Sequence, residues 1–265
     1  MTVIAGVAGQ PITHSLSPLI HNAWIGAAGL DADYRAFAPD DEAGFAALIS
    51  EGRAGGLRGL NVTAPFKEQA LAGADAVSKT ARLCGSANLL MFNGGRILGD
   101  STDGAGLMAA LAEQAPELDV AGRLVLILGA GGAARAAAAA LKAAGAEVRV
   151  LNRTADRAER LAADLGVLVA GPDAITEAVL VVNALSVPPK IEIAALRPDA
   201  VLMDMTYRPL LTSFLAAGRA RGLATVDGLA MLIGQARPSF RALFGMDPPA
   251  VDVRGLALQA LGETA

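Results

Sequence analysis

The sequence predicts an α/β protein with two domains, each built around a sheet of mainly parallel strands. Short apolar stretches alternate with helical stretches in the first half, and the alternation restarts after a polar, proline-containing link at residues 115–118. A glycine-rich turn follows the first strand of the second half. This alternation is typical of parallel sheets covered by helices, so the second half is expected to be doubly wound.

Composition narrows the class of protein. The 265 residues suffice for one or two cores, and 53% apolar with only 4% aromatic residues suits alanine-rich helices packed on a sheet. A net charge of -4 without a basic cluster argues against a nucleic-acid partner. The N-terminus lacks the basic stretch of a signal peptide, and glycines and charges interrupt the most apolar segment. We therefore expect a cytoplasmic protein without a membrane partner. We expect a monomer or a homodimer, between which the sequence does not distinguish.

The elements of the first half follow from apolar runs and turn residues. We predict strands at residues 3–7, 34–38 and 57–62, helices at 18–28 and 41–51, and a helical region at 68–84. Asn93-Gly94 separates two further strands, 87–92 and 96–99, and is a strong hairpin signal. An antiparallel edge is therefore expected to close the first sheet.

The second half repeats the pattern with clearer periodicity. A helix at residues 103–114 leads to the link, and helices are predicted to end near residues 144 and 165. The final helices are placed at 229–243 and 251–261. Strands are predicted at residues 124–128, 147–151, near 167, 179–182 and 201–205.

A nucleotide-binding fingerprint opens the second half. Gly129, Ala130, Gly131, Gly132 and Ala133, followed by another alanine, form a G-x-G-x-x-A turn between a strand and a helix. The glycines permit a tight turn and a close approach to a pyrophosphate, and the helix N-terminus offers N–H groups. The alternative is a glycine turn without a ligand. The spacing to the next strand favours a Rossmann-like dinucleotide fold.

The end of that next strand distinguishes the two nicotinamide cofactors. An acidic residue there binds the ribose of NAD, but residues 150–154 contain none. Arg153 could pair with a 2′-phosphate, with Asn152 and Thr154 as neutral donors and Arg157 as a weaker helper. This predicts NADP(H). Alternatively, Arg153 is a solvated residue at a helix start and Thr154 is the N-cap.

Two serines precede the first helix. Ser17 is placed as the N-cap with proline after it, while Ser15 lies two residues earlier. Two hydroxyls at the positive end of a helix would also suit a small carboxylate. The sequence favours capping and anion binding equally.

Lys67 lies in the first turn of a predicted helix, where the helix dipole disfavours a cation. Dipole and desolvation would lower its pKa toward the range useful for proton transfer, although a surface lysine is the common alternative. Asp103 also begins a helix. An acidic residue is favourable there for electrostatic reasons alone; alternatively, it faces a cleft in which a ligand binds. The two histidines and single cysteine have no partners at metal-ligand spacing, so no metal site is expected.

In their order along the chain, these segments resemble the shikimate dehydrogenase family. The resemblance runs from residue 9 to 245 and also includes Asn61, Asn88, Tyr207, Gly228 and Gln235 within their motifs. It implies a substrate domain of residues 1–102 with about 236–265, and an NADP-binding domain of residues 103–235. These two domains would face each other across a cleft.

The resemblance also implies an activity and roles for residues. NADPH would reduce 3-dehydroshikimate to shikimate, a step toward aromatic amino acids, with Lys67 and Asp103 as the catalytic pair. Ser15 and Ser17 would hold the substrate carboxylate. The ring hydroxyls and the pocket would involve Asn61, Thr63, Asn88, Tyr207 and Gln235, and the cofactor would also contact Gly228. The alternatives are a paralogue acting on quinate or an aminated analogue, and a non-catalytic NADP sensor.

Overall fold

The computed structural model describes residues 2–171 and 173–263, so the expected domain ends at residues 1 and 265 lie outside the described part. The chain divides into two compact units. The first unit comprises Met1–Thr102 and Gln235–Ala265, and the second comprises Asp103–Gly234. Each unit contains its own six-stranded sheet.

The chain forms twelve strands and eleven α-helices in the described residues. The first unit begins with β1 (Val3–Ala8), α1 (Ser17–Ala27), β2 (Ala32–Phe37), α2 (Glu42–Arg53), β3 (Gly59–Val62), α3 (Lys67–Gly73), β4 (Ala76–Val77), α4 (Lys79–Cys84), β5 (Leu89–Asn93) and β6 (Arg96–Asp100). The second unit contains α5 (Asp103–Gln114), β7 (Leu124–Leu128), α6 (Gly132–Ala143), β8 (Glu147–Leu151), α7 (Ala155–Leu165), β9 (Leu168–Val169), α8 (Ala174–Glu177), β10 (Leu180–Asn183), β11 (Val201–Asp204), α9 (Ser213–Ala220) and β12 (Ala224–Val226). The last helices are α10 (Gly228–Phe244), which begins in the second unit and ends in the first, and α11 (Val253–Leu261).

The sheet of the first unit has the order β2-β1-β3-β5-β6-β4. Strands β2, β1 and β3 are parallel, and the hairpin β5–β6 runs antiparallel to β3. Gly94 and Gly95 form the hairpin turn with φ of 57° and 77°, a conformation that glycine adopts without strain. The mainly parallel α/β class is confirmed.

Three expectations for this unit are wrong. The predicted helical region 68–84 is interrupted by β4, and the edge of the sheet is β4 paired parallel to β6, not the antiparallel hairpin. A strand of two residues is too short to produce a period-2 pattern in the sequence. Helix α1 also begins at Ser17 itself, with Leu16 as the N-cap and no capping hydrogen bond from a side chain.

The sheet of the second unit is parallel throughout, in the order β12-β11-β10-β7-β8-β9. The chain starts in the middle at β7, proceeds to one edge, returns to β10 and proceeds to the other edge. This is the doubly wound Rossmann order, and it places the topological switch between β7 and β10. Apolar clusters cover both faces of the sheet. The sequence analysis missed α8, α9 and β12.

Candidate active site

A network of uncharged hydrogen-bonding side chains lies within the first unit, and we refer to it as the amide network. It joins three residues that the sequence analysis had assigned to the substrate with three that it had not. Its members are Tyr34, Asn61, Asn88, Thr102, Gln235 and Ser239.

Asn88 is oriented by the backbone. The amide N–H of Thr102 donates to Asn88 Oδ1 at 2.7 Å, and a backbone N–H can only donate. Asn88 Nδ2 therefore donates to Thr102 Oγ1 and to Gln235 Oε1, both at 3.0 Å. No hydrogen bond from Gln235 Nε2 to another described residue is present, so Gln235 retains two N–H groups for a ligand.

Asn61 is oriented in the same way from the opposite end. Its Nδ2 donates to the backbone carbonyl of Asn88 at 3.1 Å and to Ser239 Oγ at 2.9 Å. Its Oδ1 accepts the hydroxyl proton of Tyr34 at 2.8 Å. Ser239 is fully buried and donates to the carbonyl of Gln235, four residues earlier in α10, at 3.0 Å. Both asparagines thus have fixed amide orientations.

Ser15, Ser17 and Thr63 occupy chain segments at the carboxyl ends of β1 and β3. Ser15 Oγ accepts the amide N–H of Ser17 at 3.3 Å, so the serine that accepts a backbone proton at the start of α1 is Ser15. Ser17 is buried as the first residue of the helix. The backbone N–H of Thr63 donates to the carbonyl of Ala8 at 2.9 Å, which ties the end of β3 to β1.

Lys67 is the first residue of α3 and therefore lies in the first turn, as predicted; it is half-buried. Its backbone carbonyl accepts the N–H of Ala87 at 2.9 Å, one residue before Asn88. The start of α3 is therefore bonded to the residue that precedes Asn88, a member of the amide network.

Three further predicted residues lie in the second unit. Asp103 is the first residue of α5 and is 3% exposed. Tyr207 is half-buried on the loop after β11. Gly228 begins α10 where a β-carbon would lie 2.5 Å from the carbonyl oxygen of Thr206, so close backbone packing by itself requires glycine there.

The glycine turn has the backbone that a dinucleotide needs. Gly129 has φ of 118°, which only glycine adopts readily, and its N–H donates to the carbonyl of Leu151 at 2.8 Å. Gly131 is the N-cap of α6 without a capping side chain, and a β-carbon built there would meet nothing within 4 Å. Gly132 and Ala133 begin the helix. The turn thus leaves an open helix N-terminus that fits a pyrophosphate.

A cavity of about 680 Å³ lies beside this turn, entirely within the second unit, and we refer to it as the cationic cavity. None of the described residues that line it is acidic. Its polar lining includes Asn152, Arg153, Thr154 and Arg157, all predicted from sequence, and Lys190, which was not. Thr154 is the N-cap of α7 by position, but its side chain makes no capping bond. Asn152 Nδ2 donates to the Thr154 carbonyl at 2.9 Å and shapes the loop.

The cationic cavity suits a phosphate group. The side chains of Arg153, Arg157 and Lys190 are exposed, and none of them has a carboxylate partner in the described part of the chain. The opposite wall consists of residues 185–191. Because charge-assisted hydrogen bonds to phosphate are strong and no anion in the wall competes for these cations, the cavity fits the 2′-phosphate of NADP.

Sequence reasoning assigned no role to Tyr34, Thr102, Ser239 or Lys190. The hydrogen bond between Asn61 and Ser239 spans 178 residues, so no local pattern could reveal it. Among the described residues, no helix is long and apolar enough to cross a membrane. Nor do these residues contain three or more His, Cys, Asp or Glu side chains grouped so that they could hold a metal ion.

Comparison with known protein families matches both halves of the chain. The model of the shikimate dehydrogenase substrate binding domain matches residues 7–90, and that of shikimate / quinate 5-dehydrogenase matches residues 110–191. The chain is 51% identical to the shikimate dehydrogenase (NADP(+)) of Caulobacter vibrioides (strain NA1000 / CB15N) over 276 residues, which is 98% of this chain and 96% of that relative.

Solved structures share the whole fold. The shikimate 5-dehydrogenase of Thermus thermophilus, in complex with NADP(H) and shikimate, matches with a TM-score of 0.91 and 36% identity over 98% of this chain and 100% of that one. The quinate dehydrogenase of Corynebacterium glutamicum, in complex with NAD, matches with a TM-score of 0.88 and 29% identity over 97% and 99% of the two chains. The chain therefore belongs to the shikimate dehydrogenase family.

Proposed function

We propose that this protein is an NADP-dependent oxidoreductase that interconverts 3-dehydroshikimate and shikimate, in the route to the aromatic amino acids. The observation that carries the proposal is the amide network, in which three carboxamides are fixed by backbone groups and by one another. Such a set of neutral, oriented donors and acceptors suits a ring with several hydroxyl groups. The relation to NADP-dependent shikimate dehydrogenases over nearly the full chain supports the same substrate.

The substrate-binding roles follow the residue chemistry. Ser15 and Ser17, at the N-terminus of α1, receive the carboxylate, where hydroxyls and the helix dipole favour an anion. Asn61, Thr63, Asn88 and Gln235 hold the hydroxyl groups. Tyr207 contributes to the substrate pocket from the loop after β11.

The cofactor roles are assigned to the second unit. The backbone of Gly129 to Ala133 receives the pyrophosphate, and Gly228 lies on the cofactor side. Asn152, Arg153, Thr154 and Arg157 bind the 2′-phosphate, which gives NADP its advantage over NAD. When bound, NADPH supplies the hydride for the ring ketone.

Lys67 and Asp103 handle the proton in this proposal. As the ketone carbon receives the hydride, the Lys67 ammonium donates its proton to the oxygen, which becomes the hydroxyl. In the reverse direction the neutral amine accepts that proton. Asp103 keeps the lysine oriented toward the reacting oxygen.

The direct test compares initial rates with shikimate or quinate and with NADP⁺ or NAD⁺. We expect shikimate with NADP⁺ to be the fastest pair by kcat/KM. A higher kcat/KM with quinate would identify the chain as a quinate dehydrogenase. An aminated shikimate analogue, assayed in the same way, tests the other paralogous activity. Tight NADP⁺ binding without turnover of any of these alcohols would favour the sensor instead.

The proposal includes a cytoplasmic enzyme that is a monomer or a homodimer. The absence of a membrane-spanning helix among the described residues is compatible with that location. Sedimentation velocity over a range of protein concentrations distinguishes the monomer from the dimer.

A further inference from the structure

Behind the amide network lies a cluster of buried aromatic rings. His21 and Tyr34 are each 1% exposed, and their rings stack with centroids 4.0 Å apart and an interplanar angle of 4°. Trp24 and Phe240 pack around His21 with ring centroids 5.7 and 6.0 Å from it. The phenol ring of Tyr34 is therefore held on its face and cannot swing without displacing His21.

The backbone of Tyr34 is fixed as firmly as its ring. Asn22 Nδ2 donates to the Tyr34 carbonyl, and the Tyr34 N–H donates to Asn22 Oδ1, both at 2.9 Å. These two bonds tie β2 to α1. The position of the Tyr34 hydroxyl is thus determined by rigid elements and not by the flexibility of a surface side chain.

That hydroxyl controls what Asn61 can offer to a ligand. A carboxamide has two N–H donors and two acceptor positions on its oxygen. Both N–H groups of Asn61 are used, by the Asn88 carbonyl and by Ser239 Oγ. Tyr34 occupies one acceptor position on Oδ1. One acceptor position remains, so the group that meets Asn61 has to be a donor.

We propose that Tyr34 is a positioning residue for substrate binding, which holds the oxygen of Asn61 so that it selects a hydroxyl group of the ligand and rejects a carbonyl or an ether. The inference rests on the proposed function, because it takes Asn61 as a substrate contact. It adds a residue outside the predicted site and a chemical rule for the group that Asn61 recognises.

The protonation states support a constant donor at this position. Burial raises the pKa of the Tyr34 hydroxyl well above its ordinary value, so the phenol keeps its proton. Burial lowers the pKa of His21 to about 3, so the imidazole that stacks on Tyr34 is neutral and places no charge beside the phenol. In the described part of the chain, His21 Nδ1 has no hydrogen-bond partner.

The experiment is a double-mutant cycle on KM for shikimate, with the full chain and NADP⁺. Tyr34→Phe removes the hydroxyl and keeps the ring, so we expect KM for shikimate to rise about three- to tenfold, as for one lost hydrogen bond. KM for NADP⁺ should not change. In the Asn61→Ala background, Tyr34→Phe should have no further effect, because the group it positions is gone.

Trp24→Phe is the matched control. It perturbs the same aromatic cluster but removes no hydrogen bond, since Trp24 Nε1 has no partner among the described residues. This variant should lower Tm and leave KM for shikimate at the wild-type value. An equal rise in KM with Trp24→Phe would reduce the effect to packing and overturn the proposal.

Other outcomes are equally decisive. A KM for shikimate that Tyr34→Phe leaves unchanged, or a rise that persists in the Asn61→Ala background, overturns the positioning role. If Asn61→Ala does not fold, shikimate analogues that each lack one hydroxyl replace it: the Tyr34→Phe penalty should vanish for one analogue, and a penalty common to all contradicts the proposal. Wild-type turnover is measured first, because its absence refutes the proposed function, whereas normal turnover with an unaltered variant refutes only this inference.

Discussion

The amide network and the cationic cavity solve two different recognition problems. The network consists of uncharged groups, mostly buried, that use one another and the backbone as hydrogen-bond partners. The cavity presents exposed cations that have no carboxylate partner in the described part of the chain. The amide network therefore presents side chains of fixed orientation, and the cationic cavity presents positive charges that no described carboxylate neutralises.

The difference follows from the ligands. A hydroxyl group is recognised by direction, because it is both donor and acceptor and carries no charge, so the protein has to fix its own amides before the ligand binds. A phosphate is recognised by charge and accepts bonds from many directions, so cations on flexible stems suffice. Mutations in the network should therefore act on substrate KM, and mutations in the cavity should act on cofactor KM with a dependence on salt.

The largest effect is expected from Lys67, whose backbone is bonded to the residue before Asn88. Lys67→Ala should lower kcat by about two to four orders of magnitude, the usual contribution of a proton-transfer group, while shikimate still binds. Initial rates and equilibrium binding measure the two parts. Lys79→Ala is the matched control, because Lys79 is also the first residue of a helix, α4, and is exposed. A kcat equal to that of the wild type would remove Lys67 from the chemistry.

The next effect tests the cationic cavity. Arg153→Ala should raise KM for NADP⁺ about 10- to 100-fold through lost charge-assisted bonds, and leave KM for NAD⁺ unchanged. The penalty should shrink as salt is added. Arg160→Ala, on the helix α7 that follows this loop, is the control, since Arg160 Nε donates to the Asp156 carbonyl and does not line the cavity. An equal rise in KM for both cofactors would contradict a 2′-phosphate contact.

A third prediction uses the buried histidine behind the network. The pKa of His21 is about 3 in the folded chain and 6.5 as an ordinary histidine, so the unfolded chain binds one more proton between these values. The free energy of unfolding is therefore not reduced by His21 above pH 6.5. It falls as the pH drops below 6.5, by about 1.4 kcal/mol per pH unit.

Denaturant unfolding between pH 6.5 and 5 measures this slope. His21→Phe should flatten it, because the variant has no proton to gain at this position. His14→Gln, at the other histidine of the chain and exposed, is the control. Identical slopes for wild type and His21→Phe would show that the imidazole is not desolvated in the folded chain.

The smallest effect concerns Lys190, the cavity residue without a sequence signal. Because its side chain is exposed, Lys190→Ala should raise KM for NADP⁺ by no more than about fivefold. The rise should disappear at high salt. A rise that salt does not reduce would mean that Lys190 shapes residues 185–191 and does not act by charge.

How much the sequence predicts differs between the two regions. The cavity residues Asn152, Arg153 and Thr154 follow one strand directly, so a local pattern of strand, turn and helix identifies them. The doubly wound fold of the second unit could be expected for the same reason, apart from the three-residue strand β12 and the short helices α8 and α9. Glycines at fixed offsets and long apolar runs are local signals.

The amide network resists such prediction because its bonds are long-range. Asn88 and Gln235 are 147 residues apart, and Asn61 and Ser239 are 178 apart. The family resemblance implied roles for Asn61, Asn88 and Gln235. Tyr34 lies in a predicted strand whose sequence gives no sign of a functional side chain. The prediction of the N-cap of α1 is wrong for a related reason. Ser15 and Ser17 both suit a helix start, and only the folded backbone determines which hydroxyl accepts the N–H.

The most direct measurement follows the hydrogen atom itself. Shikimate deuterated at the ring carbon that bears the reacting hydroxyl is incubated with NADP⁺ and the wild-type protein, and the reduced cofactor is analysed by mass spectrometry. We expect one deuterium in each molecule of reduced cofactor. Reduced cofactor without deuterium, or no reduction at all, would contradict hydride transfer between the shikimate ring and NADP.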